Sequence, residues 1–435
     1  MPILLSLFSF PLRFAAFFRD LQLTKWVIFF FAIYLVLVIK IATFRELSES
    51  VLFGSYSILV AGYILSRFLM TYFYKPDVQT DTQYEPTISF VTPAKNEEKY
   101  IAQTLRCMLE SDYPKEKMEI IAINDGSTDR TLQEMINVRQ EAWERDIAMT
   151  VVAWDKNRGK REGMAEGAKR ATGEIIFFID SDSFVKPSTV RETVKYFVDR
   201  RVAAVSGHAD VDNAKENLLT KMQAVRYYIG FRVYKGAEAL FGSVTCCSGC
   251  SAAYRRERIM EVMEPWLQQK FLGNSCTFGD DRSLTNFLLR KWKVVYAPEA
   301  EVTTVVPSSW HVFLKQQLRW KKSWTRESLR AAMFMWRKHP VMALSFFLGL
   351  LLPLLAPVIV LRALVWLPVA DNIMPWFYLF GIILMAFIYG LYYHIYKRDG
   401  LWIYGVVFVF FYVTVLIWQL PYAILTIRNA NWGTR

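Results

Sequence analysis

Two acidic clusters, Asp180–Ser181–Asp182 and Gly279–Asp280–Asp281–Arg282, precede a Gln316–Gln317–Leu318–Arg319–Trp320 run within one polar block of the chain. Asp180 and Asp182 follow five apolar residues, Ile175–Ile179, that read as a buried strand. Residues two apart on a strand face the same side, so both carboxylates can converge on one point. Left alone they repel and one pKa rises; a divalent cation on Asp182, with Asp180 beside it, removes that repulsion. Mg2+ typically takes one or two carboxylates plus substrate phosphates, so this pair suits a diphosphate ligand. A solvated acidic loop is the plain alternative.

The second cluster follows Phe278–Gly279 and opens an apolar helix, Leu284–Leu289. Displacement at an anomeric carbon needs a base within hydrogen-bond reach of the attacking hydroxyl. Asp281 is assigned that role, with Asp280 in the same acidic pair and Arg282 as its orienting or phosphate-binding neighbour. Asp280 also suits a helix N-cap, and the two readings are compatible. Gln316, Arg319 and Trp320 fall at i, i+3 and i+4, on one helix face. Arg319 can take phosphate oxygens in bidentate fashion, and Trp320 offers a flat face to a sugar. Earlier, Asn124–Asp125–Gly126 closes an apolar run, and Pro93–Ala94–Lys95–Asn96–Glu97 closes another. Asp125 at a strand tip can accept from a base or ribose. An ordinary Asp–Gly turn has the same residues, but two neighbouring tips with paired polar side chains, Lys95 and Glu97 among them, point to a nucleotide cleft.

These residues need a scaffold, and the pattern supplies one. Ile88–Thr92, Met118–Ile123, Thr150–Trp154 and Ile175–Ile179 are short apolar runs separated by helix-length segments. That alternation indicates βαβ units and a mostly parallel α/β sheet, which binds ligands at the carboxyl ends of its strands. The flanks differ: apolar segments lie near 26–43, 51–73, 341–366, 374–394 and 401–427, most of them close to the roughly 20 residues a bilayer core requires. Lys and Arg collect at Arg19, Lys25, Arg67, Lys75, Lys397 and Arg398, whereas the links 44–50 and 369–371 are acidic or lack basic residues. The positive-inside rule therefore sets the polar block on the cytoplasmic side of a multi-pass membrane protein, and the plasma membrane is its expected location. Pro421 marks a site where the last apolar segment could break, delivering the C-terminus back to the cytosolic face. The expected division is 1–24 as an interfacial helix, 25–76 as two spans, and 85–307 as the catalytic domain. Residues 308–340 follow as amphipathic interface helices, 341–427 as spanning or re-entrant segments, and 428–435 as a terminal loop.

Composition agrees. The chain is 53% hydrophobic, and 52 Lys and Arg against 40 Asp and Glu give a formal charge of +12. Membrane topology accounts for that excess, and no nucleic-acid recognition motif is present. The five cysteines, Cys107, Cys246, Cys247, Cys250 and Cys276, are odd in number and clustered, which argues against a disulfide framework. Cys247–Ser–Gly–Cys250 has metal-ligand spacing without a second pair, and reads as small residues packed beside the site.

The ordered set Asn124–Asp125–Gly126, Asp180–Ser–Asp182, Gly279–Asp–Asp–Arg282 and Gln316–Gln–Leu–Arg319–Trp320 resembles the processive inverting family 2 glycosyltransferases. Within them the chain is most similar to hyaluronan synthases, through Cys247–Ser–Gly249, Gly279–Thr285, Gln316–Ser323 and Thr426–Arg435. The resemblance implies a GT-A catalytic domain, UDP-N-acetylglucosamine and UDP-glucuronate as alternating donors, and Mg2+ or Mn2+. It also implies a growing polysaccharide acceptor exported through the chain's own channel, contact with membrane lipids, and action as a monomer. By carry-over, Asp125 contacts uridine, Asp182 the metal, Arg319 the diphosphate and Trp320 the acceptor, and Asp281 is the base. Trp432 to Arg435 would form a loop closing on the nucleotide. A chitin-oligosaccharide synthase using one donor is the near alternative. A membrane transporter or receptor with a nucleotide-sensing domain is the distant one, and would have no need of a base at Asp281.

Overall fold

The structure is a computed structural model that describes residues 21–46, 51–76, 78, 84–276 and 278–429. In chain order the elements begin with helices α1 (Leu21–Glu46) and α2 (Val51–Phe73). Strand β1 (Ile88–Ala94), α3 (Ile101–Leu109), β2 (Met118–Asp125), α4 (Thr131–Glu144), β3 (Ala148–Trp154), α5 (Lys160–Arg170) and β4 (Ile175–Phe178) then alternate. Next come β5 (Ser183–Val185), β6 (Val202–Val211), α6 (Leu218–Ile229), β7 (Ala252–Arg255), α7 (Arg256–Leu267), α8 (Asp280–Leu289) and β8 (Lys293–Thr304). The last helices are α9 (Trp310–Met335), α10 (Pro340–Leu361), α11 (Trp376–Lys397), α12 (Trp402–Thr414) and α13 (Gln419–Leu425). They fall into two compact units, Ser66–Leu354 with Leu416–Arg435, and Met1–Leu65 with Leu355–Val415.

The first unit is built on one eight-stranded sheet in the order β3-β2-β1-β4-β7-β6-β8-β5. Its central strands are apolar on both faces, as strands covered by helices must be; Phe90, Val91, Ile120, Ile121, Ile123, Ile175 and Ile176 are all buried. β1, β2, β3 and β4 run parallel, while β7 is antiparallel to β4 and β6, and β5 to β8. The register Ala94↔Asn124 and Asp125↔Trp154 brings the carboxyl ends of the first three strands to one edge. α5 packs tightly on that end of the sheet. A Cβ added at Gly167 would stand 2.1 Å from Val91 Cγ1, so only glycine allows the approach that carries Lys160 and Arg161, at the start of α5, to the strand tips.

The second unit is helical. α1 lies against α11, with Trp26 edge-on to Tyr396 at 6.1 Å and Phe29 near Tyr392 at 6.1 Å, and α11 packs on α12. Among the described residues, Phe53–Phe73, Pro340–Ala370 and Trp376–Lys397 are long and apolar enough to cross a membrane. The last apolar stretch is interrupted: α12 stops at Thr414 and the helix resumes at Gln419. The break lies ahead of Pro421, which sits in the first turn of α13, where its missing N–H breaks no helical hydrogen bond.

Candidate active site

The site begins at the tip of β2. Asp125 is 4% exposed and its carboxylate accepts from the backbone N–H groups of Arg158 (2.6 Å) and Gly159 (3.0 Å). These bonds pin the β3–α5 loop, and the Arg158 guanidinium lies over the Trp154 ring at 4.6 Å. The neighbouring Asn124 Oδ1 is buried with no hydrogen-bond partner. The β1 loop is stitched alongside: Asn96 N–H donates to Ser127 Oγ (3.0 Å), Glu97 N–H to Thr131 Oγ1 (2.7 Å) and Thr128 N–H to Asn96 Oδ1 (2.9 Å). Lys95 is exposed and Glu97 buried at this rim.

The centre is organised by a residue the sequence reading passed over. Lys160 Nζ donates to Asp180 Oδ1 at 2.5 Å and lies 3.7 Å from Asp281 Oδ1. A single ammonium thus joins the two acidic clusters. The backbone of Gly249 joins them again, since its N–H donates to Asp281 Oδ2 (2.9 Å) and its carbonyl accepts from Asp180 N–H (2.9 Å). A Cβ at this position would fall 2.7 Å from Asp180 Oδ1 and 2.9 Å from Lys160 Nζ, so the Cys247–Ser–Gly–Cys250 segment contributes backbone rather than thiols. Burial pushes the Cys247 thiol up to about 12, which leaves no thiolate for ligation or attack near neutral pH. Lys160, Asp180 and Asp281 keep 24%, 33% and 27% of their side-chain exposure, enough for a substrate to reach them.

Electrostatics divides the labour. Burial alone would lower the pKa of Lys160, but Asp180 and Asp281 overcome it and raise it, so the ammonium persists. Burial raises the pKa of Asp281; Lys160 opposes that rise, while Asp180 and Asp280 add to it. Burial and the Asp180 charge push Asp182 upward as well. An added cation would relieve Asp182, and this two-carboxylate edge suits an ion whose remaining ligands come from phosphates and water. Among the described residues no group of three metal-ligating side chains is present, so the protein alone does not complete a coordination shell.

Asp280 and Asp281 are neighbours with different partners. Consecutive helical residues point about 100° apart, and Asp280 is turned onto Arg161, whose Nε and Nη2 both lie 2.7 Å from its Oδ1. That pair is buried, with 8% and 2% side-chain exposure, and the Arg161 guanidinium also covers Trp266 at 5.4 Å. Asp280 therefore locks α8 to α5 and α7, while Asp281 faces Lys160. Gly279, at a φ of 78°, makes the left-handed turn into α8. Arg282 stands near Glu238: burial raises that carboxyl, Thr245 lowers it through hydrogen bonds, and the charge of Arg282 lowers it further.

α9 closes the site. Its C-terminal half is tied to the turn before α8 by Arg326, which donates to Phe278 O, and to α8 by Glu327, whose carbonyl accepts from Asn286 Nδ2 at 2.9 Å. Burial lowers the pKa of Arg319, while Asp180, Asp281 and Asp280 act to raise it, so its charge is felt by both clusters. Trp320 lies 6.3 Å from Tyr227 with the Arg226 guanidinium 5.6 Å from its ring centre. Gln316 Oε1 is buried without a hydrogen-bond partner. On the other flank, Gln419 of α13 donates to Leu314 O and accepts from Lys321 Nζ, both at 3.3 Å. Lys160, Asp180 with Asp182, Asp281 and Arg319 thus interact across four separate parts of the chain. Trp432 and Arg435 lie outside the described residues.

Residues 89–263 match the family model for glycosyl transferase family 2. A hyaluronan synthase of Streptococcus pyogenes is 29% identical over 387 residues, covering 88% of this chain and 90% of the relative. An N-acetylglucosaminyltransferase of Mesorhizobium japonicum is 32% identical over 248 residues, covering 57% of this chain and 58% of that protein. Among solved structures, a mannosyltransferase of Pyrobaculum calidifontis in complex with GDP-Man and Mn2+ has the same fold, with a TM-score of 0.59 at 22% identity. It covers 88% of this chain and 100% of its own.

Proposed function

From a chain that carries a glycosyl transferase family 2 domain and is a glycosyltransferase, we propose a membrane-embedded, inverting polymerase of UDP-sugars. It alternates UDP-N-acetylglucosamine and UDP-glucuronate to build hyaluronan and exports the product through its own helices. The observation that carries the reading is the convergence of Asp281 and Asp180 on Lys160 and Gly249, between a nucleotide rim at Asp125 and a helix bearing Arg319 and Trp320. Similarity to hyaluronan synthases over 88% of the chain supports the choice of product.

The chemistry needs one displacement. An acceptor hydroxyl on a sugar stacked against Trp320 loses its proton to the Asp281 carboxylate as its oxygen attacks the donor's anomeric carbon. The new C–O bond forms as the bond from that carbon to the diphosphate oxygen breaks, and UDP departs with the electron pair. Asp125 holds the nucleoside, and Arg319 faces the departing diphosphate. Asp182, with Asp180 beside it, would hold Mg2+ or Mn2+, which supplies charge neutralisation for the leaving diphosphate. Lys160 keeps Asp281 anionic against the burial that favours its protonation. Along α9, the exposed Trp310, Leu329 and Met333 suit contact with lipid headgroups.

The higher identity to an N-acetylglucosaminyltransferase over 248 residues favours one second reading, a polymer of N-acetylglucosamine alone. Supplying each donor singly and in pairs separates the two. Hyaluronan synthesis requires both donors together and gives a product cut by hyaluronidase. Efficient polymer from UDP-N-acetylglucosamine alone, cut by chitinase, would transfer the assignment.

A further inference from the structure

The helix that begins as α6 does not stay α-helical. Over Gly230–Lys235 it widens into a π turn before resuming at Gly236–Ala239. Single π turns inside α-helices occur frequently at functional sites, because one inserted residue rotates every later side chain by about 100°. Here the rotation delivers Lys235 to the interior, 8% exposed.

Lysine is almost never buried without an acidic partner, yet among the described residues no carboxylate pairs with Lys235. Its ammonium donates to Ser206 Oγ on β6 (2.7 Å) and Ser248 Oγ (2.9 Å), and lies 4.0 Å above the Phe231 ring. Two hydroxyls and a ring face compensate a buried charge poorly. What the arrangement secures is the next residue. Ser248 precedes Gly249, whose N–H and carbonyl hold Asp281 and Asp180. Cys247, on the other side of Ser248, is held through its N–H to Thr285 Oγ1 (3.0 Å), and that hydroxyl donates to Asp281 O (2.7 Å). The segment is therefore anchored to α8 at one end and to Lys235 in its middle.

We infer that Lys235 is a positioning residue for the transfer step, acting through the Ser248–Gly249 backbone to hold Asp281 and Asp180 in register. This rests on the reading of Asp281 as the base. Without the anchor, Ser248 is free to rotate and the Gly249 N–H no longer meets Asp281 at a fixed angle. Displacement of a catalytic group by about 1 Å can cost roughly 10²-fold in rate, whereas the nucleotide rim at Asp125 is untouched.

The test uses the full-length protein in detergent or nanodiscs with UDP-sugar donors. Lys235→Met is expected to lower kcat for UDP release by about 10²-fold while the Kd for UDP and the donor KM stay within about threefold. Lys235→Arg, which restores the charge and donors, is expected to recover most of the rate. Ser248→Ala is expected to lower kcat in the same direction, and the double variant Lys235→Met with Ser248→Ala to be no worse than Lys235→Met alone, because residues acting through one contact are not additive. An unchanged kcat in Lys235→Met, multiplying losses in the double variant, or equal losses in Lys235→Met and Lys235→Arg would each overturn the inference. If Lys235→Met does not fold, Ser248→Ala decides: a reduced kcat at unchanged UDP affinity supports the inference, and a wild-type kcat overturns it. Wild-type protein that releases no UDP from any donor would instead remove the reading of the site itself.

Discussion

The two neighbouring aspartates at the start of α8 give the sharpest separation of roles. Asp281→Asn keeps the size and one oxygen of the side chain, so the Gly249 N–H at 2.9 Å retains an acceptor. It loses the charge opposite Lys160 and the ability to take a proton. Losing a general base costs about 10²–10⁴-fold, or roughly 2.7–5.4 kcal/mol of transition-state stabilisation. Stability is expected to move little, because removing a carboxylate whose burial already favours protonation offsets the lost attraction to Lys160. Asp280→Asn does the reverse. Arg161, with 8% side-chain exposure, would keep its charge and lose its ionic partner, and breaking a buried pair costs about 3–5 kcal/mol. Initial UDP release, UDP binding by calorimetry and thermal unfolding should be measured on both variants in one membrane mimetic. The expected pattern is lost turnover with near-wild-type melting and UDP affinity for Asp281→Asn, and a clearly lowered Tm for Asp280→Asn. Turnover within tenfold of wild type in a folded Asp281→Asn protein would refute the base assignment.

Other consequences follow from the same contacts. Because burial raises Asp281 and a base must be deprotonated, the rate should climb with pH through a limb lying above the ordinary Asp value of about 3.9. Lys160 lowers the Asp281 pKa, so Lys160→Met should shift that limb upward; an unmoved limb or a downward shift in a kcat–pH profile would contradict the coupling. Gly249→Ala adds a Cβ within 2.7 Å of Asp180 Oδ1 and should cost at least about 10²-fold in kcat by displacing the carboxylates, with far-UV circular dichroism unchanged. Wild-type turnover from Gly249→Ala would show that the segment yields without consequence.

What the sequence disclosed and what it hid have physical causes. The strands were readable because central strands covered on both faces are continuous apolar runs, and the polar residues ending them must lie at ligand-binding tips. Asp125 and Asp180 were legible for that reason, and Asp281 from the acidic pair that opens an apolar helix. Lys160 and Arg161 were not: two basic residues opening a short helix look like a solvated turn, and their partners stand 20 and 119 residues away. One signal was available, since carboxylates gathered without enough cations call for one, and Gly159–Lys160–Arg161 follows a strand of the same sheet. The separation of Asp280 from Asp281 needs the helix phase, which places Asp280 on the packed side. Cys247 was noticed for its side chain, whereas its segment acts through the amide and carbonyl of Gly249, groups every residue possesses. The interruption before Gln419 came earlier than Pro421 suggested, because proline is tolerated in a first helical turn.

The most direct test of the central claim is the anomeric configuration of newly made linkages. A base at Asp281 that takes the acceptor's proton as that oxygen attacks the anomeric carbon implies a single displacement with no covalent sugar–enzyme intermediate. Proton NMR of product made from α-linked UDP-sugars should therefore show β linkages throughout. Product with retained α linkages would contradict the account.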